Sequence, residues 1–488
     1  MTARHRIPGE VFAALARGGG GPEAIRLLAD ARRSKTLLLL RAILDLADAT
    51  GHPGARLTRC AFRALGEVER RAPRAVADVV GYPHVGAWAL RTALRLDAGR
   101  TEEAEPERLA HVAAAAAWRG GVDVPVELPP AESVALPSVG VATLPAPPCG
   151  PVHLVAGTLT DGRTTAQLGS GPGWRGLDRI RAEHDGLRLD LAVDGLGDRP
   201  VPDNVAVEPA LPSPDHHPPR KRLRATDNPS PDHHPPRKRL RATDNPSPDH
   251  HPPRKRLRAT DNPSPDHHPP PRRPRATGSA RRDLWQRRLA EGWRHLVRWH
   301  RPVAEEVAAA LRVLTPLVNS STGQVSATFN DLFGCVAMSL PDDARSAALT
   351  LAHEVQHTKL AALIDLVPLL APDDGVRFYA PWREDPRPAA GLLQGIYAHL
   401  GVTGFWRRER PDRRADTEFA RWRTATRDAA RTLAEHGDLT GAGRDFLAHL
   451  LPVLQSWCDD EVSPAAQAEA ERLAAEHRRR WLARNRPS

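Results

Sequence analysis

A seventeen-residue repeat in the middle of the chain strongly limits what this sequence can fold into. The unit PSPDHHPPRKRLRATDN begins at Pro212, Pro229 and Pro246, and a divergent fourth copy begins at Pro263. Leucine is the one large apolar residue of the unit, so stacked copies could not bury a core of their own. The prolines favour an extended, partly polyproline-like chain. We therefore predict a disordered linker over residues 206–280, with folded chain on each side.

Most of the net charge lies in this linker. Residues 212–278 contain fifteen Lys or Arg and seven Asp, and so carry +8 of the formal +10. The RKRLR segments could bind nucleic acid and the HH pairs could hold a metal, but solvated charge on an extended spacer is the preferred interpretation. Because the rest of the chain is nearly neutral, we expect no nucleic-acid partner.

The length of the chain predicts two folded domains. With 488 residues it exceeds one ordinary core, and we place the domains at residues 1–205 and 281–488. No apolar run is long enough to span a membrane, and the first residues do not resemble a signal peptide. The cysteines are scattered without CxxC spacing, which predicts neither disulfides nor a cysteine zinc site. We expect a cytoplasmic protein with no membrane partner.

The first domain is predicted to be mainly helical, with some short strands. Apolar residues recur at helical spacing over residues 22–50, and shorter helices are expected over 74–80, 85–96 and 105–118. After residue 122, apolar and polar residues alternate between Pro and Gly clusters, which is typical of short strands. This domain offers no catalytic constellation, so we assign peptide recognition to it by elimination only.

The second domain is predicted to be a helical, zincin-like metal domain, which makes the chain mainly α (α+β) overall. Residues 282–318 have the pattern of one or two helices, and 324–340 have the β-branched content of one or two strands. A helix is expected to start at Pro341-Asp342-Asp343 and to run to about Leu366.

That last helix contains the sequence HEVQH. Residues four apart lie on one face of a helix, so His353 and His357 can offer their imidazoles to a single ion. The pattern also arises by chance, as a hydrogen-bonded pair on an ordinary helix, but buried paired histidines among apolar neighbours would be costly without a partner. Leu360 and Leu363 stand where the metzincin extension has glycine and histidine, which excludes that class.

The third ligand of such a site is less clear from the residues. Glu384, the first glutamate after the motif, lies in the non-helical stretch WREDPRP and is therefore poorly placed to act as a metal ligand. The next helix, predicted over 389–407, has His399 as its one imidazole and no carboxylate, so His399 is the preferred third ligand. Weaker candidates are Asp365, Asp373 and Asp374.

The loop between these two helices carries Arg383 and Arg387 among prolines. A guanidinium matches a carboxylate with two parallel hydrogen bonds, so the loop suits an anionic substrate or co-substrate near a metal. A surface salt bridge with Glu384 or Asp385 would explain the same residues. Both interpretations stay open.

Several segments together resemble a known family. They resemble the bacterial HEXXH-motif proteins of ribosomally synthesised peptide pathways, including those paired with FxsB-type radical SAM maturases. The likeness covers both sides of the repeat and is carried by LLLLRAILD, YPHVGAWALR, LAHEVQHTKLAALIDLVPLL, YAPWREDPRP and LLQGIYAHLGVTGFWR.

This resemblance implies an Fe(II)- and α-ketoglutarate-dependent peptide β-hydroxylase that uses O₂. By the resemblance, His353 and His357 would bind Fe(II), with His399 as third ligand, and Arg383 or Arg387 would bind a carboxylate of α-ketoglutarate. The expected partners are a precursor peptide and a radical SAM maturase of the same pathway.

Two alternatives remain. A zinc metallopeptidase would use Glu354 as the base that deprotonates a zinc-bound water. A peptide-maturation scaffold with a decayed metal site is the third interpretation, which the intact HExxH pattern disfavours.

Overall fold

Helices dominate the residues that the computed structural model describes, which are 5–194, 208–209, 278–317, 325–327 and 329–485. This confirms the prediction of a mainly α protein with some short strands. The helices before the repeat are α1 Gly9–Ala16, α2 Gly21–Ala49, α3 Ala55–Arg71, α4 Pro73–Val80, α5 Pro83–Asp97 and α6 Leu109–Gly120. Those after it are α7 Gly278–Trp299, α8 Arg301–Ala310, α9 Ala344–Leu366, α10 Ala389–Glu409, α11 Arg413–His436, α12 Gly441–Cys458 and α13 Pro464–Arg484.

Short strands form three sheets among the described residues. A four-stranded antiparallel sheet has the order β1-β4-β5-β6, from β1 Val126–Leu128, β4 Val152–Val155, β5 Thr158–Thr160 and β6 Thr165–Gln167. A three-stranded one has the order β2-β3-β7, from β2 Ser133–Leu136, β3 Gly140–Thr143 and β7 Trp174–Gly176. The third has the order β10-β12-β13-β11-β9-β8, from β8 Asp178–His184, β9 Leu187–Val193, β10 Glu208–Pro209, β11 Val313–Leu317, β12 Val325–Ala327 and β13 Cys335–Ser339.

The six-stranded sheet joins the two halves of the chain. Strand β9, from the first half, pairs in parallel with β11, from the second, through Val313 opposite Ala192 and Leu314 opposite Val193. One apolar cluster likewise combines Leu191 of β9 with Trp293 of α7. The described parts of Met1–Pro212 and Arg281–Ser488 accordingly fall in one compact unit, whereas the sequence had suggested separate domains at 1–205 and 281–488.

The predicted linker, 206–280, lies outside the described residues except for its two ends. Glu208 and Pro209 pair with β12 as a short strand, and helix α7 already begins at Gly278.

One part of the secondary-structure prediction was wrong. Residues 313–317 were expected to continue a helix, but they form strand β11, which is almost entirely buried between β9 and β13. Helical spacing cannot be distinguished from a short buried strand in so few apolar residues. Pro316 fits there because β9 pairs only with Val313 and Leu314, so the proline lies beyond the paired positions on that side.

Helix α9 carries the HEVQH sequence through the middle of the molecule. It starts where predicted, because the Asp343 side chain accepts a hydrogen bond of 2.7 Å from the Ser346 backbone N–H. Leu351 and Val355 pack in the cluster that contains the six-stranded sheet, while Leu360 and Leu363 pack in another with α10 and α12. A helix with apolar contacts on two sides is expected at the centre of a fold rather than at its surface.

Helix α2 connects all three large apolar clusters. Ile25 packs in the cluster of the six-stranded sheet, Leu28 in that of α10 and α12, and Leu40 in that of the first half. The sequence allowed one amphipathic helix or a broken pair over 22–50, and the structure has one helix, Gly21–Ala49, which packs on both halves of the chain. No described helix combines the length and the apolar character needed to cross a membrane.

Candidate metal centre

The two histidines of the HEVQH sequence meet side by side on α9. Their Nε2 atoms are 3.1 Å apart, and the ring centres are 4.8 Å apart at 72°. Two nitrogens about 2.1 Å from one metal ion are about 3.0 Å apart at a right angle and about 3.4 Å apart at the tetrahedral angle. The separation of His353 and His357 therefore fits two ligands of a single ion.

A hydrogen bond with α10 orients the His357 ring. Its Nδ1 lies 3.1 Å from the side-chain oxygen of Gln394, on α10. An amide oxygen only accepts, so Nδ1 carries the proton and Nε2 keeps its lone pair on the side of His353. Outer partners of this kind fix the ring orientation of metal-binding histidines. Sequence analysis did not identify Gln394.

His399, the predicted third ligand, lies beside His353. Its ring centre is 5.7 Å from that of His353, and its side chain is buried. Its Nδ1 donates a hydrogen bond of 2.9 Å to the carbonyl of Gly395, one turn earlier on α10, which again leaves Nε2 as the ligand atom. Three imidazoles thus gather in one place, each with chemistry suited to zinc or iron.

Two tryptophans enclose the His399 ring. Trp382 stacks on it with ring centres 4.2 Å apart at 16°, and Trp422 of α11 lies at 4.8 Å. Gly395 permits this stacking, because a Cβ there would overlap the Trp382 indole. Trp382 belongs to the loop that carries the two arginines, so the stacking holds that loop against the histidines.

Glu354 is buried and lies next to His353. Its side chain is 1% exposed, and its Oε1 is 4.0 Å from Nε2 of His353. A carboxylate there is close enough to act on a molecule bound at the same ion, through water or directly.

The two arginines share one carboxylate in this structure. Arg383 Nε donates to Asp385 at 2.9 Å, and Arg387 Nη1 donates to the other oxygen at 3.1 Å. Burial would raise the pKa of Asp385, but the two guanidinium groups outweigh it and lower the pKa below its usual value. The ion pair with Asp385 is therefore present, whereas Glu384 pairs with Arg484 of α13 instead. An arginine has five N–H donors and can bind more than one carboxylate. The binding of α-ketoglutarate by Arg383 or Arg387 therefore stays a prediction.

The weaker carboxylate candidates are engaged elsewhere. Asp365 bonds Lys35 of α2 at 2.9 Å and also pairs with Arg32. Asp373 pairs with Arg377, and Asp374 accepts the backbone N–H of Val376. These contacts make all three poor ligands for the ion.

A buried ion pair connects α9 to α8, and hydrogen bonds connect α9 to the turn between α1 and α2. Lys359 donates 2.7 Å to Glu306 of α8 and 2.8 Å to the carbonyl of Gly18, in the turn between α1 and α2. Gln356 donates to the same carbonyl at 3.0 Å. Gly18 has a φ of +85°, a conformation that favours glycine, so the glycine-rich turn can present this carbonyl to α9.

Compared with known proteins, the chain matches no family model and no curated protein.

Proposed function

We propose that this protein is an Fe(II)- and α-ketoglutarate-dependent dioxygenase that hydroxylates a side-chain Cβ of a ribosomally synthesised precursor peptide. One observation carries the proposal: the Nε2 atoms of His353 and His357 lie 3.1 Å apart, beside His399. Gln394 and the Gly395 carbonyl hold two of the three rings through their Nδ1 atoms.

The ligand set supports iron oxygenase chemistry. Three protein ligands leave positions open for a chelating α-keto acid and for O₂. When bound, Fe(II) would supply the oxidation in which one oxygen atom enters the C–H bond and the other enters succinate, as α-ketoglutarate loses CO₂. His399 replaces the carboxylate that the usual non-haem iron triad contains.

The loop and the aromatic residues have distinct roles in this proposal. Arg383 or Arg387 would bind the distal carboxylate of α-ketoglutarate and so orient it. Trp382 and Trp422 cover the His399 ring and exclude water from that side. The resemblance of YPHVGAWALR and the HEVQH region to peptide-maturation proteins supports a precursor peptide as substrate, with a radical SAM maturase as a pathway partner.

Zinc peptidase activity is the second candidate, and one observation favours it. Glu354 Oε1 lies 4.0 Å from His353 Nε2, a position from which a carboxylate could deprotonate a water on the ion. Glu354 is buried beside His353, so its carboxylate lies close to a molecule bound at the ion.

One assay separates these functions. The purified protein is incubated with Fe(II), ascorbate, α-ketoglutarate and a precursor peptide encoded nearby, and peptide mass and succinate are measured. A gain of one oxygen with equimolar succinate is expected, and it should be lost in His357→Ala but kept in His436→Ala, a histidine that is 67% exposed. Peptide fragments that form with Zn²⁺ and without α-ketoglutarate would support the peptidase, and an unchanged peptide with either metal would support a scaffold.

A further inference from the structure

A second group of metal-binding side chains lies apart from the HEVQH histidines. It consists of His295 on α7, His300 between α7 and α8, and Glu409 at the end of α10. His295 Nε2 is 2.7 Å and His300 Nε2 is 2.8 Å from the same carboxylate oxygen, Oε1 of Glu409. The donor atoms of the three side chains all lie within 4.8 Å of one another.

These donors are held in place before any ion binds. The other oxygen of Glu409 accepts from Arg345 Nε at 2.9 Å, which fixes the carboxylate plane. The His300 ring stacks on Phe405 at 4.2 Å and 7°, which fixes that imidazole. His300 and Glu409 are 1% and 5% exposed, while His295 is 19% exposed and leaves a route for an ion from solvent.

The donor chemistry selects a class of ion. Two imidazole nitrogens and one carboxylate oxygen suit Zn²⁺ and the neighbouring divalent transition metals, whereas Ca²⁺ and Mg²⁺ prefer oxygen ligands alone. Arg345 adds a positive charge that opposes the ion, but it binds Oε2 and leaves Oε1 facing the two imidazoles.

The two centres are separate. His399 and Glu409 are ten positions apart on α10, which is about 15 Å along a helix axis. The two ions of a dinuclear centre are only about 4 Å apart. The group around His399 and the group around Glu409 are therefore too far apart to bind one shared ion or to form a dinuclear centre.

We propose that His295, His300 and Glu409 form a second site, which binds a divalent transition ion such as Zn²⁺ and has a structural role. The ion would join α7, the start of α8 and the end of α10, and so fix the helix that carries His399. This inference does not depend on the reaction at the HEVQH histidines. Its competitor is a hydrogen-bonded cluster in which both imidazoles donate to Glu409 and no metal binds.

The test uses the full chain without its first metal site. The His353→Ala/His357→Ala protein is stripped of metal and titrated with Co²⁺, whose visible absorption reports nitrogen and oxygen ligands, and then with Zn²⁺ by calorimetry. The same protein with His295→Gln and Glu409→Gln added is the comparison. Because the histidine pairs of the repeat are present in both proteins, the readout is the difference between them.

We expect the first protein to bind one equivalent more than the second, and its Tm to rise with Zn²⁺. Equal stoichiometry and equal spectra in the two proteins would overturn the proposal. Folding of the second protein is checked by circular dichroism. If it does not fold, His295→Gln alone, at the most exposed of the three positions, replaces it; it should still bind one equivalent less and lose the Zn²⁺-dependent rise in Tm.

Discussion

At the scale of single residues, Gln394 is the side chain that orients the His357 imidazole for binding an ion. It accepts a hydrogen bond from Nδ1 at 3.1 Å, and α10 presents it toward α9. Without that acceptor the imidazole could rotate or place its proton on Nε2, which would remove the ligand lone pair.

Replacing Gln394 should therefore weaken metal binding without unfolding the protein. We expect Gln394→Leu to lower the affinity for Fe(II) or Co²⁺ by about 10- to 100-fold, the usual effect of losing such an outer partner. Gln394→Glu keeps an acceptor of similar size and should retain most of the affinity. Unchanged binding in the leucine variant would show that the hydrogen bond has no orienting role.

Residue spacing predicted part of this centre and could not predict the rest. The i, i+4 rule placed His353 and His357 on one face, because that relation is local to a helix. Gln394 and Trp382 depend on how two helices and a loop pack, and no periodicity along the chain encodes that contact. The one local signal was Gly395, whose missing Cβ admits the Trp382 ring.

At the scale of elements, the position of α9 depends on the buried pair of Lys359 and Glu306. Lys359 bonds Glu306 and the carbonyls of Gly18 and Gly19, while Glu306 also accepts the backbone N–H of Gly21 at 3.0 Å. The pair thus ties α9, α8 and the glycine-rich turn before α2 together. The helices were predictable from their apolar spacing, but this long-range pairing was not.

Removing one partner of this pair should be strongly destabilising. Lys359→Met leaves the Glu306 charge and two glycine carbonyls buried without their donor, and we expect the free energy of unfolding to fall by about 3–5 kcal/mol. Urea unfolding measures the change. Arg41→Met, in the exposed pair with Asp45, is the matched control and should leave the urea midpoint nearly unchanged. Similar midpoints for both variants would contradict this role.

At the scale of the whole molecule, the two halves of the chain complete one sheet. Strand β9 lies between β8 and β11, and the cluster around Trp293 contains Ile180 and Leu191 of the first half. Composition and the repeat suggested a division at this point, because a polar insertion resembles a boundary between domains. The parallel pairing of β9 with β11 has no local signal, so the sequence could not predict it.

The halves should therefore not fold independently. Residues 281–488 expressed alone would expose the apolar face around Trp293 and lack the partner strand of β11. We expect poor amide dispersion in its NMR spectrum, and recovery of a folded complex when residues 1–205 are co-expressed. A cooperative unfolding transition of the isolated second half would argue against a shared core.

Stability should also fall in mild acid. Burial, with Arg108, lowers the pKa of His111 to about 4, and burial, with Arg421 and Arg480, lowers that of His477 to about 4. The unfolded chain binds protons at these histidines from about pH 6.5 downwards, so stability is lost between about pH 6.5 and 4. The deeply buried His111 should remove about 2 kcal/mol of the free energy of unfolding between pH 7 and 5, and His477, which solvent screens more, should remove less. Urea unfolding at both pH values should show a smaller difference in a His111→Asn/His477→Asn variant than in His436→Asn.

The most direct test of the iron centre needs no peptide. Fe(II) and α-ketoglutarate are added together, without oxygen, to the metal-free protein, and visible absorption is recorded. We predict a band that requires both additions, that disappears in His353→Ala and in His357→Ala, and that remains in His436→Ala. No band in the wild-type protein, together with one equivalent of Zn²⁺ bound at the same histidines, would contradict the proposed iron oxygenase.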